Sequence, residues 1–245
     1  MICLNYHRVD ATAQPDFYTL DPTRLAAHLV AIRELGLRVV GSAEVLAAKA
    51  DSGMVMLHFD DGTEDHFQHV FPLLEIADST GVFFISSAKV GKLGYLSIAQ
   101  VKELAAAGHD IECHGHSHRR MDMMPLDELE GELANSVGLI REWTGRAPRI
   151  LAPPGGYVNV QVIETARRHG LTNVRTMRWN TNPIPLGEML DCLVVTGATS
   201  DAEVRQWLQG KGLIKLRVAY LAKQAVKSLL PIHLYLKLRS RLRGN

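Results

Sequence analysis

The stretch that decides the fold is Met54-Val55-Met56-Leu57-His58-Phe59-Asp60-Asp61-Gly62. Its first six residues are almost all apolar, which predicts a buried strand of the kind found in parallel sheets. Two carboxylates and a glycine follow at the end of that strand, where the active sites of α/β proteins collect. An Asp-Asp-Gly sequence also forms plain turns or caps a following helix, so this stretch alone leaves a structural and a catalytic interpretation open.

Short apolar runs alternate with longer helical patterns on both sides of this strand. Ile2–Tyr6 is a predicted strand, and Pro22–Leu35 is a predicted helix that Asp21 caps and Gly36 ends. Strands that alternate with helices of this length favour βαβ units and a parallel sheet, although periodicity does not tell whether the sheet closes into a barrel. The other predicted strands are Val82–Ile85, Ile111–Cys113, Ile150–Leu151, a strand around Val174, and Cys192–Thr196; the other predicted helices are His66–Asp78, Ser97–Ala107, Leu126–Trp143, Val160–His169 and Asp201–Gln209.

Composition and cysteine content indicate an ordinary folded protein. Of its 245 residues, 47% are hydrophobic and 22% are charged, as in globular domains. Cys3, Cys113 and Cys192 are odd in number and far apart, so the sequence predicts reduced thiols rather than a disulfide framework. The first residues lack the pattern of a signal peptide, and no apolar run has the length of a membrane span. We therefore expect a cytoplasmic protein, with the inner membrane face as a further expected location.

The last part of the sequence is strongly basic. Residues 204–245 contain ten lysines and arginines and no acidic residue, which leaves 17 basic and 26 acidic residues in the remainder. Apolar residues recur among these lysines at nearly helical spacing, interrupted by Pro231, so we predict a tail of two amphipathic helices in residues 211–245, distinct from the domain in residues 1–210. We expect residues 211–243 either to contact an anionic membrane or to pack on the acidic domain. The segment has no aromatic stacking pattern, so no nucleic-acid partner is expected.

A second group of chemically active residues is His114-Gly115-His116-Ser117-His118, directly after a predicted strand. His114 and His118 are four residues apart, so one helical turn would place both on one face. Imidazole is a common ligand of zinc and similar metals, and two histidines with one carboxylate from the Asp60-Asp61 pair leave open positions, as a catalytic metal requires. The alternative is a solvent-exposed histidine run. Cys113 precedes His114 in a strand, so its side chain should face away from such a site.

The third group is the loop Ala152-Pro153-Pro154-Gly155-Gly156-Tyr157. Prolines followed by glycines give a stiff loop whose backbone can approach a ligand, and the amides of Pro154–Tyr157, namely those of Gly155, Gly156 and Tyr157, could stabilise an oxyanion. A plain strand-to-helix turn explains the same residues. Taken together, the three groups suit hydrolysis of an acyl bond, in which a metal polarises the carbonyl and a carboxylate takes a proton from water.

These motifs resemble those of the polysaccharide deacetylase, or NodB-homology, family. Phe59-Asp60-Asp61-Gly62, His114 to His118 and Pro153-Pro154-Gly155-Gly156 occur in the family's order, and Tyr6-His7 resembles its common start. The resemblance implies a distorted (β/α) barrel of about seven strands that removes acetyl groups from saccharides. It further implies that Asp60 is the general base and that Asp61, His114 and His118 hold a divalent metal, usually zinc.

Several positions depart from the family pattern. His58 stands where Thr is common, Gly115 replaces Ser or Thr, and Ala152 replaces an arginine that orients the base in many members. The late Leu-x-His motif, whose histidine protonates the leaving group, is missing from the corresponding stretch 192–196. His7, His58 and His116 are candidate replacements, and we expect His7 to participate because its strand should end on the catalytic face.

The resulting functional prediction is a metal-dependent deacetylase acting on an N- or O-acetylated saccharide, in cell-surface or exopolysaccharide biosynthesis. Two other interpretations remain. The missing late histidine and the missing loop arginine favour a non-catalytic saccharide-binding relative. The metal chemistry, which is shared with other enzymes, also suits a metallohydrolase of another amide or ester.

Overall fold

The computed structural model describes residues 1–11, 16–50 and 53–229. Its main feature is a nine-stranded sheet in which every pairing is parallel, in the order β10-β9-β8-β7-β6-β5-β1-β11 with β4 beside β5, while β2 and β3 form a separate pair. The strands are β1 (Ile2–Tyr6), β2 (Arg8–Val9), β3 (Thr19–Leu20), β4 (Arg38–Val39), β5 (Met54–Asp61), β6 (Gly81–Ile85), β7 (Asp110–Cys113), β8 (Ile150–Leu151), β9 (Asn173–Thr176), β10 (Met189–Asp191) and β11 (Leu193–Val194).

Helices connect most of these strands, as right-handed parallel crossovers require. Capping explains several of their starts: the side chains of Asp21, Ser97, Asn159 and Ser200 each accept a hydrogen bond from the first turn of a helix. The helices are α1 (Pro22–Glu34), α2 (Ser42–Ala47), α3 (Phe71–Ile76), α4 (Ile98–Ala106), α5 (Leu126–Thr144), α6 (Val160–Arg168), α7 (Asp201–Leu208) and α8 (Leu213–Leu229), with a π-helix at His66–Val70 and short 3-10 helices at Met121–Met123 and Pro154–Gly156.

Two apolar cores lie on the two faces of the curved sheet. The larger contains strand residues such as Leu4 and Leu57 together with helix residues such as Leu133, so it fills the space between strands and helices. The smaller consists almost entirely of alternate strand residues, Cys3 and Met56 among them, so it fills the interior that the sheet encloses. Asn182 links β10, at one end of the sheet, to the start of β1 near the other end, because it bonds to the backbones of Asp191 and Met1.

This arrangement confirms the predicted distorted (β/α) barrel. Two predicted elements were wrong in detail. The strand predicted over Cys192–Thr196 is shorter, because only Leu193–Val194 pairs with β1, as β11, while the preceding Met189–Asp191 forms the separate strand β10 beside β9. The helix predicted over His66–Asp78 begins as a π-helix and becomes α3 at Phe71. Pro72 has no backbone N–H to donate to the preceding turn, which accounts for the wider winding before it.

The chain beyond α7 is described only in part. α8 starts within the predicted basic tail and lays Leu213 and Leu216 against the larger core. The helix predicted after Pro231 lies outside the described residues, and the division of the chain at residue 210 stays a prediction. None of the helices within residues 1–11, 16–50 and 53–229 combines the length and apolar character of a membrane span.

Candidate metal and catalytic site

Three predicted ligands meet at the carboxyl ends of β5 and β7. Asp61 Oδ1 lies 3.2 Å from His114 Nε2 and 2.8 Å from His118 Nε2. One ligand atom from each of the three residues falls within 4.8 Å of the others. Asp61 ends β5 and His114 follows β7, with only β6 between these strands. The parallel sheet therefore brings together motifs that are about fifty residues apart in the sequence.

The protonation of this cluster suits a cation. His114 Nδ1 donates a hydrogen bond to the Ala152 carbonyl oxygen at 2.5 Å, so Nε2 is the ring nitrogen that faces Asp61 and would bind a metal once it is deprotonated. Burial alone would raise the pKa of Asp61, but hydrogen bonds from His114 and His118 hold it far below its ordinary value. One carboxylate and two imidazole nitrogens form a donor set that fits a divalent metal such as zinc and leaves coordination positions open.

Two of the three candidate ligands have a strained backbone. Asp61 has φ 78° and His118 has φ 64°, values that side chains other than glycine rarely adopt. Such strain persists only where the surroundings enforce it, and it concentrates at functional sites. Gly62 adds a steric requirement, because a Cβ there would lie 2.9 Å from the side chain of Ile85.

Glu132, which the sequence analysis did not identify, binds the backbone of the histidine loop, residues His114 to His118. Its Oε1 accepts hydrogen bonds from the backbone amides of His116 at 2.8 Å and Ser117 at 2.7 Å. Gly115, with φ 80°, fits over this carboxylate, and a Cβ there would lie 2.8 Å from Oε1. The unusual glycine is thus explained by the close approach of Glu132. A signal existed in the sequence, because Glu132 occupies a buried position on the apolar face of α5.

The predicted base, Asp60, is fully buried in the barrel interior and held at one oxygen. Its Oδ2 accepts hydrogen bonds from Arg175 Nη2 at 2.6 Å and Asn5 Nδ2 at 3.1 Å. Its Oδ1 accepts none from the described residues, so one carboxylate oxygen is fixed and the other keeps its capacity to accept a proton. Burial alone would raise the pKa of Asp60, but Arg175, His114 and His7 lower it, so the group is held as a carboxylate.

Arg175 is a second residue that sequence reasoning missed. Leu151 of β8 is paired with Val174 of β9, which places Arg175 beside Ala152, the position where the resemblance leads one to expect an arginine. The guanidinium is only 1% exposed and also lies over the ring of Phe84. Arginine is almost never fully buried unless it is paired. An arginine inside the predicted strand around Val174 was therefore the sequence signal for a buried acidic partner.

Of the three histidines predicted as proton donors, His7 is the one placed beside the base. Its Nε2 lies 3.7 Å from Asp60 Oδ2, and its ring packs against Tyr18 with centroids 4.5 Å apart. Burial lowers the pKa of His7, although Asp60 and Asp61 oppose that effect. The carbonyl oxygen of His7 accepts a hydrogen bond from His66 Nε2 at 2.5 Å, which fixes the end of β1.

The other two histidines occupy different surroundings. His58 lies two residues before Asp60 on the same face of β5, so it is one layer deeper and fully sealed from solvent. Burial lowers its pKa to about 3, which keeps the ring neutral at neutral pH and makes it a poor proton donor at the mouth of the barrel. His116 bonds through Nδ1 to Ser87 Oγ at 2.8 Å.

The predicted oxyanion loop forms the 3-10 helix at Pro154–Gly156. Its Gly156 amide already donates to the Pro153 carbonyl oxygen at 2.8 Å, so this particular donor is not available to a substrate. Gly156 also has no room for a side chain, because a Cβ would lie 3.0 Å from Met177. Tyr157 is half-buried, with the Arg120 guanidinium 3.8 Å from its ring centroid.

Known proteins match both the sequence and the fold. The polysaccharide deacetylase family profile matches residues 47–174. A peptidoglycan-N-acetylglucosamine deacetylase of Bacillus cereus is 28% identical over 131 residues, which cover 53% of this chain and 59% of that protein. IcaB from Ammonifex degensii superposes with a TM-score of 0.76 at 25% identity, covering 85% and 96% of the two chains.

The Streptococcus pyogenes deacetylase PplD, solved in complex with acetate, superposes with a TM-score of 0.77 at 18% identity, over 84% of this chain and 96% of that one. The chain spans about half the length of the curated relatives it matches. Since the family profile covers more than half of the sequence and the barrel agrees with it, this chain belongs to the polysaccharide deacetylase family.

Proposed function

We propose that the protein hydrolyses acetyl groups of an acetylated saccharide with the help of a divalent metal, most simply zinc, held by Asp61, His114 and His118. The observation that carries this proposal is the state of Asp60. One of its oxygens is fixed by Arg175 and Asn5, and the other accepts no hydrogen bond from the described residues. A buried carboxylate that is kept ionised, oriented and half-satisfied is suited to accept a proton.

The metal ligands lie next to this base, since Asp60 and Asp61 are adjacent in β5. Asp61, His114 and His118 would hold a divalent cation there, and such a cation would supply polarisation of an acyl carbonyl and a lower pKa of water. Asp60 then takes the proton of the attacking water at Oδ1, the oxygen that is not already bonded. The Asp61 carboxylate and the two imidazoles serve as ligands because their donor atoms converge within 4.8 Å.

We propose that His7 delivers the proton to the leaving group. Asn5 of β1 is paired with Val194 of β11, and the Val195 amide donates to the Asn5 carbonyl. His7 lies two residues after Asn5 and Thr196 lies two residues after Val194, so both lie just beyond the paired ends of β1 and β11. The late histidine is missing from this same end of the neighbouring strand. Asp60 gains one proton at Oδ1 and His7 gives one to the leaving group, so the two transfers balance, and both groups return to their starting protonation by exchange with water.

The family and the relatives support the substrate class that we propose. A polymer containing N-acetylglucosamine is the first choice, because the curated Bacillus cereus relative carries that sugar in its name. The ester-bearing alternative is an O-acetylated saccharide. A role in building cell-surface or exopolysaccharide material is the biological setting that we propose for either substrate.

Acetate release tests the proposal. Zinc-loaded protein should release acetate from chito-oligosaccharides or from acetylated xylan, and Asp60→Asn should abolish release while the protein keeps its fold by circular dichroism. His118→Ala should lose bound metal by elemental analysis, whereas His69→Ala, a control outside the cluster, should retain it. If metal-loaded protein binds the saccharide without releasing acetate, the chain is a saccharide-binding relative. If it releases acid only from unrelated acyl compounds, the substrate assignment is wrong.

A further inference from the structure

Helix α8 presents apolar residues on two different sides. Leu213 and Leu216 are half-buried and pack against the larger core, so this side attaches the helix to the barrel. Ile214, Val218 and Leu221 are 81%, 60% and 55% exposed. Their spacing of four and three residues places them in one row along the helix. The second apolar side therefore has no cover among the described residues.

This row differs from the other exposed apolar residues of the protein. Those others, such as Ile76 and Leu93, are distributed over several elements, and single exposed apolar side chains are normal. Only on α8 do three of them align along one helix within the described chain. An aligned apolar row on a surface helix indicates contact with an apolar phase or a partner.

The charges beside the row indicate which kind of partner it fits. Lys215 and Arg217 are exposed and flank the row on its two sides, at about 100° and 60° around the helix from Ile214. No acidic residue follows Glu203 in the sequence, while ten basic residues do. Protein interfaces are depleted in lysine, whereas helices that lie on anionic lipids combine an apolar row with flanking lysines and arginines.

We propose that α8 lies flat on an anionic membrane, with Ile214, Val218 and Leu221 inserted between the lipid headgroups. Lys215 and Arg217 then lie at the level of the lipid phosphates, and the other side of the helix stays attached to the barrel. This placement is independent of the proposed deacetylase activity, since none of these residues belongs to the catalytic site. It uses an in-plane helix and needs no membrane span.

Vesicle flotation of the full chain tests this surface. The protein should bind phosphatidylcholine vesicles that contain phosphatidylglycerol and should fail to bind pure phosphatidylcholine. Binding should weaken between about 0.05 M and 0.5 M salt, because the headgroup attraction is screened. The triple variant Ile214→Ser/Val218→Ser/Leu221→Ser should bind at least about tenfold more weakly, because three inserted side chains are lost.

A matched triple variant separates this row from exposed apolar residues in general. Ile76→Ser/Leu93→Ser/Val160→Ser removes three side chains of similar exposure elsewhere and should leave vesicle binding unchanged. Equal loss in both triple variants would overturn the assignment to α8.

Charge reversal provides a second readout that keeps the apolar row intact. Lys215→Glu/Arg217→Glu should reduce vesicle binding and its salt dependence, with helix content unchanged by circular dichroism. Absence of binding by the unmodified chain would refute the proposal. So would a dimer, measured by light scattering, that dissociates in the α8 triple variant, because the row would then be a contact between two copies.

Discussion

Removing the guanidinium of Arg175 should destabilise the protein and inactivate it together. Arg175 and Asp60 are 1% and 0% exposed and their contact is 2.6 Å, so neither charge can turn to water when its partner is lost. Truncating one member of such a pair costs about 3–5 kcal/mol, because an uncompensated charge stays buried. For a protein of this size, that corresponds to a fall in melting temperature of about 6–20 °C.

Arg175→Met keeps the length and apolar stem of the side chain and removes its charge. Without Arg175, burial raises the pKa of Asp60, so the base becomes protonated and cannot accept a proton. Turnover should fall by about 10²- to 10⁴-fold, the usual contribution of a general base. Arg167→Met is the control, since Arg167 forms an ion pair with Glu188 at the surface, is 65% exposed, and such pairs contribute about 0–1 kcal/mol.

The double variant Arg175→Met/Asp60→Asn separates stability from activity. It removes both charges, so thermal and urea unfolding should show most of the lost stability restored, whereas acetate release should stay absent. A loss below about 1 kcal/mol in Arg175→Met would refute the reasoning. A double variant that is less stable than either single variant would refute it equally, since the two residues would then not form one interacting pair.

Three further predictions use other buried groups. His58→Met should keep acetate release. The pKa of His58 is lowered from 6.5 to about 3 in the folded protein, so as pH falls from about 7.5 to about 5 the unfolded chain takes up a proton that the folded protein does not, and the free energy of unfolding falls by about 2 kcal/mol. The variant should lack this pH dependence. Glu112→Gln should remove the opposite pH dependence. Burial raises the pKa of Glu112 from 4.5 to about 7, so the free energy of unfolding of the wild type should fall by roughly 3 kcal/mol as pH rises through that interval, and that of the variant should not, as urea titrations at several pH values will show. Glu132→Gln should weaken metal affinity by about 10- to 100-fold, because the loop His114–His118 loses its anionic acceptor. Glu142→Gln, at an exposed position on the same helix, should not, and equal metal affinity in both variants would contradict the role of Glu132.

Most of the barrel could be predicted because its strands and helices are marked locally. The apolar run before Asp60 marks β5, and the cap at Asp21 marks the start of α1. Each of these signals consists of a few neighbouring residues, so it can be read from the sequence. The strands that were missed, such as Arg38–Val39 and Met189–Asp191, are two or three residues long and carry no period that a sequence can reveal. Their formation depends on hydrogen bonds to neighbouring strands, which only the folded sheet provides.

The candidate site, like the fold, could be predicted only in part from the sequence. Asp61, His114 and His118 lie in compact motifs, so their convergence could be anticipated. Arg175 and Glu132 reach the site from elements that carry no motif, and their contacts arise from strand register and helix packing. The family profile stops at residue 174, directly before Arg175, so the arginine lies just outside the region that the family defines.

In our proposal, two of the departures from the family pattern are offset on a neighbouring strand. The arginine expected at Ala152 is supplied by Arg175 on β9, and the histidine missing from the stretch 192–196 is supplied by His7, directly after β1. Ala152 and Arg175 directly follow the paired residues Leu151 and Val174, and His7 lies just beyond the end of β1, which pairs with β11. Since laterally adjacent interior positions of a barrel face the same volume, a functional group can move by one strand and still reach the same atom.

If the two strand positions are equivalent, moving the arginine from Arg175 back to position 152 should restore function. In an Arg175→Ala background, where acetate release should be lost, Ala152→Arg should restore part of it, because the new guanidinium occupies the volume that Arg175 vacates. Recovery should include a return of the melting temperature, since Asp60 regains a cationic partner. Ala152→Lys is the control: it supplies charge without the planar donor pair and should recover stability better than turnover. If Ala152→Arg recovers neither, the base requires the approach of Arg175 from β9 itself, and the two strand positions are not equivalent.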